Sequence, residues 1–318
     1  MTTEPCAIGI DIGGTKIEIA IATSSGKVEN RILIPTQVVL GPQGILQEIL
    51  SAVQKLLSQT SLKPEAIGVG MAGQIAAETG EVIFAPNLDW HHVPLGETIK
   101  NALNLPVVIT NDVRAAAFGE WKFGAGRNCD DLLCIMIGTG IGGGIISKGR
   151  LMNGSSNAAG EIGHIIVDQN GPLCHCGNSG CMEAFAGGWA LAKQMENLLK
   201  NRKINSEYWT AFEGNEITGR MVLEAYKNGD PLAKEVIEQA QKALIAGTIS
   251  LIHSFNPERI IFSGGIINGM PSLIDNIEAG VRAKALKASL KNLKFLPGQL
   301  KTDVGIVGAA AMALEIKR

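Results

Sequence analysis

Residues 8–21, IGIDIGGTKIEIAI, and residues 135–147, IMIGTGIGGGIIS, follow one plan: an apolar strand, a glycine-rich turn, then a second apolar strand. The match is weak in identity but clear in pattern, and it predicts a duplicated unit. Working outward, strands are expected over 6–11, 16–22, 27–35, 67–71 and 107–110. Residues 45–59 place Ile45, Leu46, Ile49, Leu50, Val53, Leu56 and Leu57 on one helical face, and a further helix is expected near 95–104. The scheme then restarts with strands over 132–137 and 143–147. A long helix over 231–255 has Asp230 as N-cap and Pro231 at its first position, with Pro257 beyond its end. A strand over 259–262 and a closing helix over 305–317 complete the chain. Strands followed by alternating helix and strand, performed twice, predict an α/β protein of two similar lobes with a ligand cleft between them. The expected smaller lobe is 1–118 plus 304–318, and the larger is 119–303.

Three glycine motifs each follow an apolar strand: Asp11-Ile-Gly-Gly-Thr-Lys16, Gly138-Thr-Gly-Ile-Gly-Gly-Gly144 and Ser263-Gly-Gly-Ile266. Glycine lets backbone N–H groups face phosphate oxygens with no Cβ in the way. The expected nucleotide contacts are Gly13, Gly14, Thr15, Lys16, Thr139, Gly140, Gly264 and Gly265, with Asp11 placed to hold Mg²⁺. Two decoys fail. GGTK is not a Walker A loop, because GxxxxGK[ST] is absent. Gly138, Gly140 and Gly143 satisfy GxGxxG, and Glu161 lies near the spacing of a ribose-binding acid, but IISKGRL after Gly144 does not open a helix. The bland alternative is three ordinary hairpin turns.

Bulk composition narrows the class. The 318 residues are 46% hydrophobic and 18% charged, enough to bury a substantial core. Lys+Arg of 28 against Asp+Glu of 30 gives a formal charge of -2, with no basic stripe for nucleic acid. The start, MTTEPCAIGI, has no signal-peptide pattern, and the longest apolar run, 132–146, is too short and glycine-rich to span a membrane. A soluble, cytoplasmic protein is expected.

Of six cysteines, Cys6, Cys129 and Cys134 read as small buried hydrophobes. Cys174, Cys176 and Cys181 cluster, with His164 nine intervening residues upstream. One imidazole and three thiolates suit a tetrahedral structural Zn²⁺. The alternative is a glycine-rich loop carrying reduced thiols. Residues 164–183 are poor in apolar side chains, so burial alone does not order them. A metal clip would fix Glu183, two residues past Cys181.

Carboxylates, amides and imidazoles pair with the hydroxyl groups of a ligand, which both donate and accept. Asn111, Asp112, Glu161, His164 and Glu183 are the candidates, and Asn111 and Asp112 end the strand VVIT, where open α/β sheets carry active residues. Asp112 also reads as a helix N-cap for 115–121, and Glu161 and Glu183 as solvated loop carboxylates. His91, His92, Arg114 and His175 have weaker claims.

At these residues the chain resembles the ROK family of bacterial sugar kinases, within the actin/hexokinase/Hsp70-like (ribonuclease H-like) ATPase fold. The resemblance covers nearly the whole chain. DIGGTK and GTGIGGG resemble its two phosphate loops, SGGI its adenosine motif and GAAAMAL its closing helix. The most specific part is GEIGH at 160–164 followed by CHCGNSGCMEAFAGG at 174–188. The resemblance implies that Asn111, Asp112, Glu161, His164 and Glu183 hold the sugar, with Gly73 and Gln74 in a loop near it and Asn87 in a further nearby segment. It implies Zn²⁺ on His164, Cys174, Cys176 and Cys181, leaving His175 out of the ligand set. It implies transfer of the γ-phosphate of ATP, with Mg²⁺, to a hexose 6-hydroxyl, with Asp112 as general base. APNLDWHHVPL and the zinc loop look most like the glucokinase branch, so glucose is the expected hexose. N-acetylmannosamine, N-acetylglucosamine, fructose, mannose and allose are the alternatives within the chemistry. A homodimer is expected from the family. A sugar-sensing repressor, which would carry a DNA-binding segment before the kinase-like body, is a rival not expected here, because DIGGTK begins at residue 11. A protein-binding actin-like ATPase is another, but it has no need of GEIGH or the cysteine cluster.

Overall fold

The computed structural model describes residues 4–202, 209 and 216–315. The chain divides into two compact units: Met1–Cys129, Gly144–Gly160 and Gly298–Arg318 form the first, and Asp130–Gly143 and Glu161–Pro297 the second.

The first unit is built on strands β1 (Cys6–Ile12), β2 (Lys16–Thr23), β3 (Val28–Pro35), β4 (Ile67–Met71) and β8 (Val107–Asn111), in the order β3-β2-β1-β4-β8. β1 and β2 pair antiparallel, with Asp11 opposite Glu18, while β1–β4 and β4–β8 are parallel. Isoleucines at 8, 10, 12, 17, 19 and 21 are all buried, which suits β-branched side chains on a pleated, covered surface. Helix Gly41–Ser58 buries Ile45, Leu46, Ile49, Val53 and Leu56 at helical spacing, each contributing about 1.5–3 kcal/mol of apolar burial. A small three-stranded sheet, β5 (Gln74–Ile75), β6 (Val82–Ala85) and β7 (Trp90–Val93), is inserted before helix Leu95–Leu103.

Helix Val304–Glu315 is apolar almost all round and lies against β1, β4 and helix Asp112–Phe123. Its close approach depends on glycine. A Cβ at Gly68 would sit 1.8 Å from the Ala309 carbonyl oxygen, and one at Gly308 would sit 1.7 Å from that of Ala115. Position 317, expected to end this helix, lies outside the described residues. Residues 144–160 belong with the first unit, tied to it through Asn157. Arg114 Nη1 donates to Asn157 Oδ1 at 2.6 Å, and Asn157 Nδ2 donates to the Ile75 carbonyl at 3.1 Å.

A second five-stranded sheet joins β9 (Leu132–Ile137), β10 (Ile141–Ser147), β11 (Arg150–Leu151), β12 (Arg259–Ser263) and β13 (Lys294–Pro297) in the order β11-β10-β9-β12-β13. β12 is parallel to both β9 and β13. The two sheets therefore share one plan: a first strand, a second joined to it by a glycine turn, and two parallel strands beyond. The duplication expected from residues 8–21 and 135–147 is present as topology. Helix Pro231–Phe255 starts where Asp230 Oδ1 accepts the Ala233 N–H at 2.8 Å, and Trp209 Nε1 donates to the other carboxylate oxygen at 3.2 Å.

Candidate active site

In the first unit, β8 ends at Asn111 and helix Asp112–Phe123 begins at once. Asn111 is the N-cap: its side-chain oxygen accepts the N–H groups of Val113 at 3.0 Å and Arg114 at 3.3 Å. The capping role expected of Asp112 thus falls to Asn111, because β8 runs one residue further than expected. Asp112 becomes the first helical residue. Its Oδ1 accepts the Val113 N–H at 2.9 Å, and a helix N-terminus favours negative charge there. Arg114, the third residue of this helix, is buried.

The turn after β1 is a hairpin, closed by Gly13 N–H to the Lys16 carbonyl at 3.0 Å and fastened by Thr36 Oγ1 to the Gly13 carbonyl at 2.7 Å. Gly14, Thr15 and Lys16 are exposed. Asn87 is exposed in the one-turn segment Pro86–Leu88, and a Cβ at Gly14 would lie 3.4 Å from its Cβ. Gly73 sits where a side chain would meet the Phe84 carbonyl at 2.8 Å. Asp11, at the end of β1, has its carboxyl pushed up to about 6, first by burial and then by the negative charges of Asp112 and Glu18; Lys16 opposes the shift. Crowded oxygen anions of this kind fit a hard divalent cation such as Mg²⁺.

In the second unit, the turn between β9 and β10 is closed by Gly138 N–H to the Gly140 carbonyl at 2.9 Å. The Gly138 and Thr139 carbonyls accept the first N–H groups of helix Gly188–Arg202, at 2.9 Å from Gly188 and 3.1 Å from Trp189. Gly264 has φ 101, and a Cβ there would strike the Ile137 carbonyl at 2.4 Å. Gly138 and Gly265 have nothing within 4 Å of an added Cβ, so their backbone stands open to a ligand. Both line a cleft of about 1350 Å³, with Thr139, Trp189, Ile266 and Asn268 among its walls. Two of the glycine motifs thus meet in one cavity large enough for a nucleoside triphosphate.

Gly140 is required for a reason the motif did not announce. A Cβ there would lie 2.4 Å from Glu183 Oε2. That carboxylate is clasped on both sides, accepting the Ile141 N–H at 2.7 Å and Trp189 Nε1–H at 3.2 Å. Glu183 is therefore a built part of the glycine loop, not a solvated loop carboxylate. Glu161 is exposed, and its carbonyl accepts the His164 N–H at 3.1 Å in the turn Ile162–His164.

The donor atoms of His164, Cys174, Cys176 and Cys181 all lie within 4.8 Å of one another. His164 Nδ1 is 3.6 Å from Cys174 Sγ, and Cys176 Sγ is 3.6 Å from Cys181 Sγ. A tetrahedral ion with bonds of about 2.3 Å to sulfur and 2.0 Å to nitrogen sets such edges at about 3.5–3.8 Å, so the donor set fits Zn²⁺. Burial pushes the Cys174 thiol up and Cys181 up to about 12, while the Asn178 backbone N–H holds Cys176 down. A dication reverses the first two by stabilising thiolate. The loop turns at Gly180 (φ 76), where a Cβ would fall 1.5 Å from the Asp168 carbonyl. His164 presents Nδ1 to this cluster, which leaves Nε2 on the opposite edge of the ring.

The sequence profile described as the ROK family matches residues 7–316. The chain belongs to the ROK family. Among similar proteins, a glucokinase of Streptomyces coelicolor is 35% identical over 315 residues, 97% of each chain. A xylose repressor of Caldicellulosiruptor bescii is 30% identical over 96% of this chain and 77% of its own length. The crystal structure of a ROK glucokinase from Streptomyces griseus in complex with glucose and AMPPNP superposes with a TM-score of 0.81 at 34% identity, covering 98% of this chain and 99% of that one. The fold is thus the actin/hexokinase-like ATPase fold expected of ROK proteins.

Two site features carried no ROK motif. Trp189 follows the Gly-Gly pair at 187–188, and its aromatic ring beside a glycine run was the one available signal. Asn157 (φ 58) braces Arg114 from 43 residues away, a pairing no local pattern announces. No helix among the described residues is long and apolar enough to cross a membrane.

Proposed function

We propose that this chain is a cytoplasmic, homodimeric ATP-dependent glucose kinase that transfers the γ-phosphoryl group to the 6-hydroxyl. The observation that carries the reading is the setting of Asp112: a carboxylate at the first position of a helix, at the end of a parallel strand, framed by the Asn111 cap. The full-length likeness to a glucokinase of Streptomyces coelicolor supports glucose as the acceptor.

Each residue has a separate task. Asp112 accepts the proton of the attacking hydroxyl as the phosphorus–oxygen bond forms. Asn111 spends its side-chain oxygen on the helix cap and offers its amide N–H to a sugar oxygen. Glu161, Glu183 and His164 Nε2 pair with further hydroxyls, and Gly73 and Asn87 border the sugar. Gly138 and Gly265 admit the nucleotide close to backbone N–H groups and Gly264 turns the chain beside them, while Gly13, Gly14, Thr15, Lys16, Thr139 and Gly140 face phosphate oxygens. Bound Mg²⁺, which we assign to Asp11, supplies charge neutralisation at the β- and γ-phosphates. His164, Cys174, Cys176 and Cys181 would hold one Zn²⁺ that orders residues 164–183 and so fixes Glu183.

The test is ADP release measured with ATP, Mg²⁺ and a panel of glucose, mannose, fructose, allose and the two N-acetylhexosamines. Glucose-dependent release above all others is expected. Release that ignores sugar would point to an ATPase, and no release at all to a sugar-sensing protein.

A further inference from the structure

The cleft of the second unit has an aromatic wall built by residues outside the glycine motifs. The His175 imidazole stacks on the Trp189 indole, ring centroids 3.9 Å apart and planes 20° from parallel. Both rings line the cleft with Gly138, Thr139 and Gly265. Trp189 is held from three directions. Its backbone N–H bonds the Thr139 carbonyl at 3.1 Å, its face lies on His175, and its Nε1–H donates to Glu183 Oε1 at 3.2 Å. The other Glu183 oxygen accepts the Ile141 N–H at 2.7 Å. The indole therefore spans from the cleft wall to the carboxylate.

We propose that Trp189 is a positioning residue that couples a nucleoside triphosphate in this cleft to the setting of the Glu183 carboxylate. The proposal rests on the kinase function stated above and deepens it. An indole has only two rotatable bonds, and its plane is backed by His175, so a ligand that presses on the wall is felt at Nε1. Glu183, with one oxygen on the glycine loop and the other on the indole, keeps a single orientation only while both bonds hold. His175 sits between Cys174 and Cys176, so the order of the cysteine loop also sets the plane of the indole. Nucleotide and sugar binding are then linked through a named chain of contacts: His175, Trp189, Glu183, Ile141.

The experiment uses the full chain with its zinc content measured, and two variants. Trp189→Phe keeps a ring on His175 and removes the N–H. His175→Ala keeps the N–H and removes the backing. Affinity for a non-hydrolysable ATP analogue is measured by calorimetry with and without saturating glucose. In the wild type, glucose should tighten the analogue by about fivefold or more. Trp189→Phe should lose most of that enhancement, whatever its glucose-free affinity. His175→Ala, at unchanged zinc content, should weaken glucose-free analogue binding by about threefold or more. An enhancement that survives intact in Trp189→Phe, or one absent from the wild type, overturns the proposal. So does unaltered analogue affinity in His175→Ala. Failure of the kinase function is read separately, as a wild type without sugar-dependent ADP release.

Discussion

The side-chain oxygen of Asn111 accepts the backbone N–H of Val113 at 3.0 Å, and that bond fixes where the helix starts and where Asp112 stands. Asn111→Ala should therefore cost about 1 kcal/mol of stability from the lost cap. It should also lower kcat, because Asp112 loses its frame. Asn111→Asp keeps a capping oxygen and should keep the stability while losing the amide donor. Denaturant unfolding and steady-state kinetics on the pair separate the two roles.

Glu120 is fully buried, and its carboxylate accepts three backbone N–H groups: Ala125 at 2.9 Å, Gln299 at 2.8 Å and Leu300 at 2.8 Å. It fastens helix Asp112–Phe123 to residues 299 and 300, just before the closing helix. Glu120→Ala leaves those donors without the carboxylate and should cost about 3 kcal/mol or more. Urea unfolding midpoints at unchanged slope would register the loss.

Asp11 carries a proton longer in the folded protein than in the unfolded chain, since its carboxyl lies at about 6 and not at 3.8. Its contribution to stability is then greatest below the ordinary value, falls as pH rises from 3.8 to about 6, and stays low above. Asp11→Asn should be more stable than wild type at pH 7 by up to about 3 kcal/mol, less for the solvent contact the group retains. The difference should vanish near pH 4. The same variant should lose activity through weakened Mg²⁺ binding. Paired unfolding curves at pH 4 and pH 7 check the sign.

Much of this fold was legible in the residues because local chemistry agreed with the final state. Asp230-Pro231 announced the long helix to the residue, and alternating isoleucines announced β1 and β2. The cysteine cluster was legible because ligand spacing is a local property. The small sheet β5–β7 was missed, because strands of two to four residues carry too little periodicity to read. The clasp on Glu183 was missed for another reason: Ile141 and Glu183 are 42 residues apart, and only tertiary folding joins them. Asp112 as cap was off by one position, since Asn and Asp cap equally well and the strand end decides between them.

The cysteine cluster gives a further expectation. Dialysis against a strong chelator, or Cys176→Ser, should lower both the melting temperature and kcat, because residues 164–183 have little apolar burial of their own. Metal analysis of the purified chain should return one zinc per polypeptide before treatment. Full activity in a preparation shown to be free of zinc would remove the structural role.

The base assignment is tested most directly by Asp112→Asn, a substitution of nearly equal shape that abolishes proton acceptance. Glucose affinity, measured by calorimetry, should stay close to that of the wild type, while kcat for glucose-dependent ADP release falls by about 10²–10⁴. A variant that binds glucose and turns over at a near-normal rate would contradict the account.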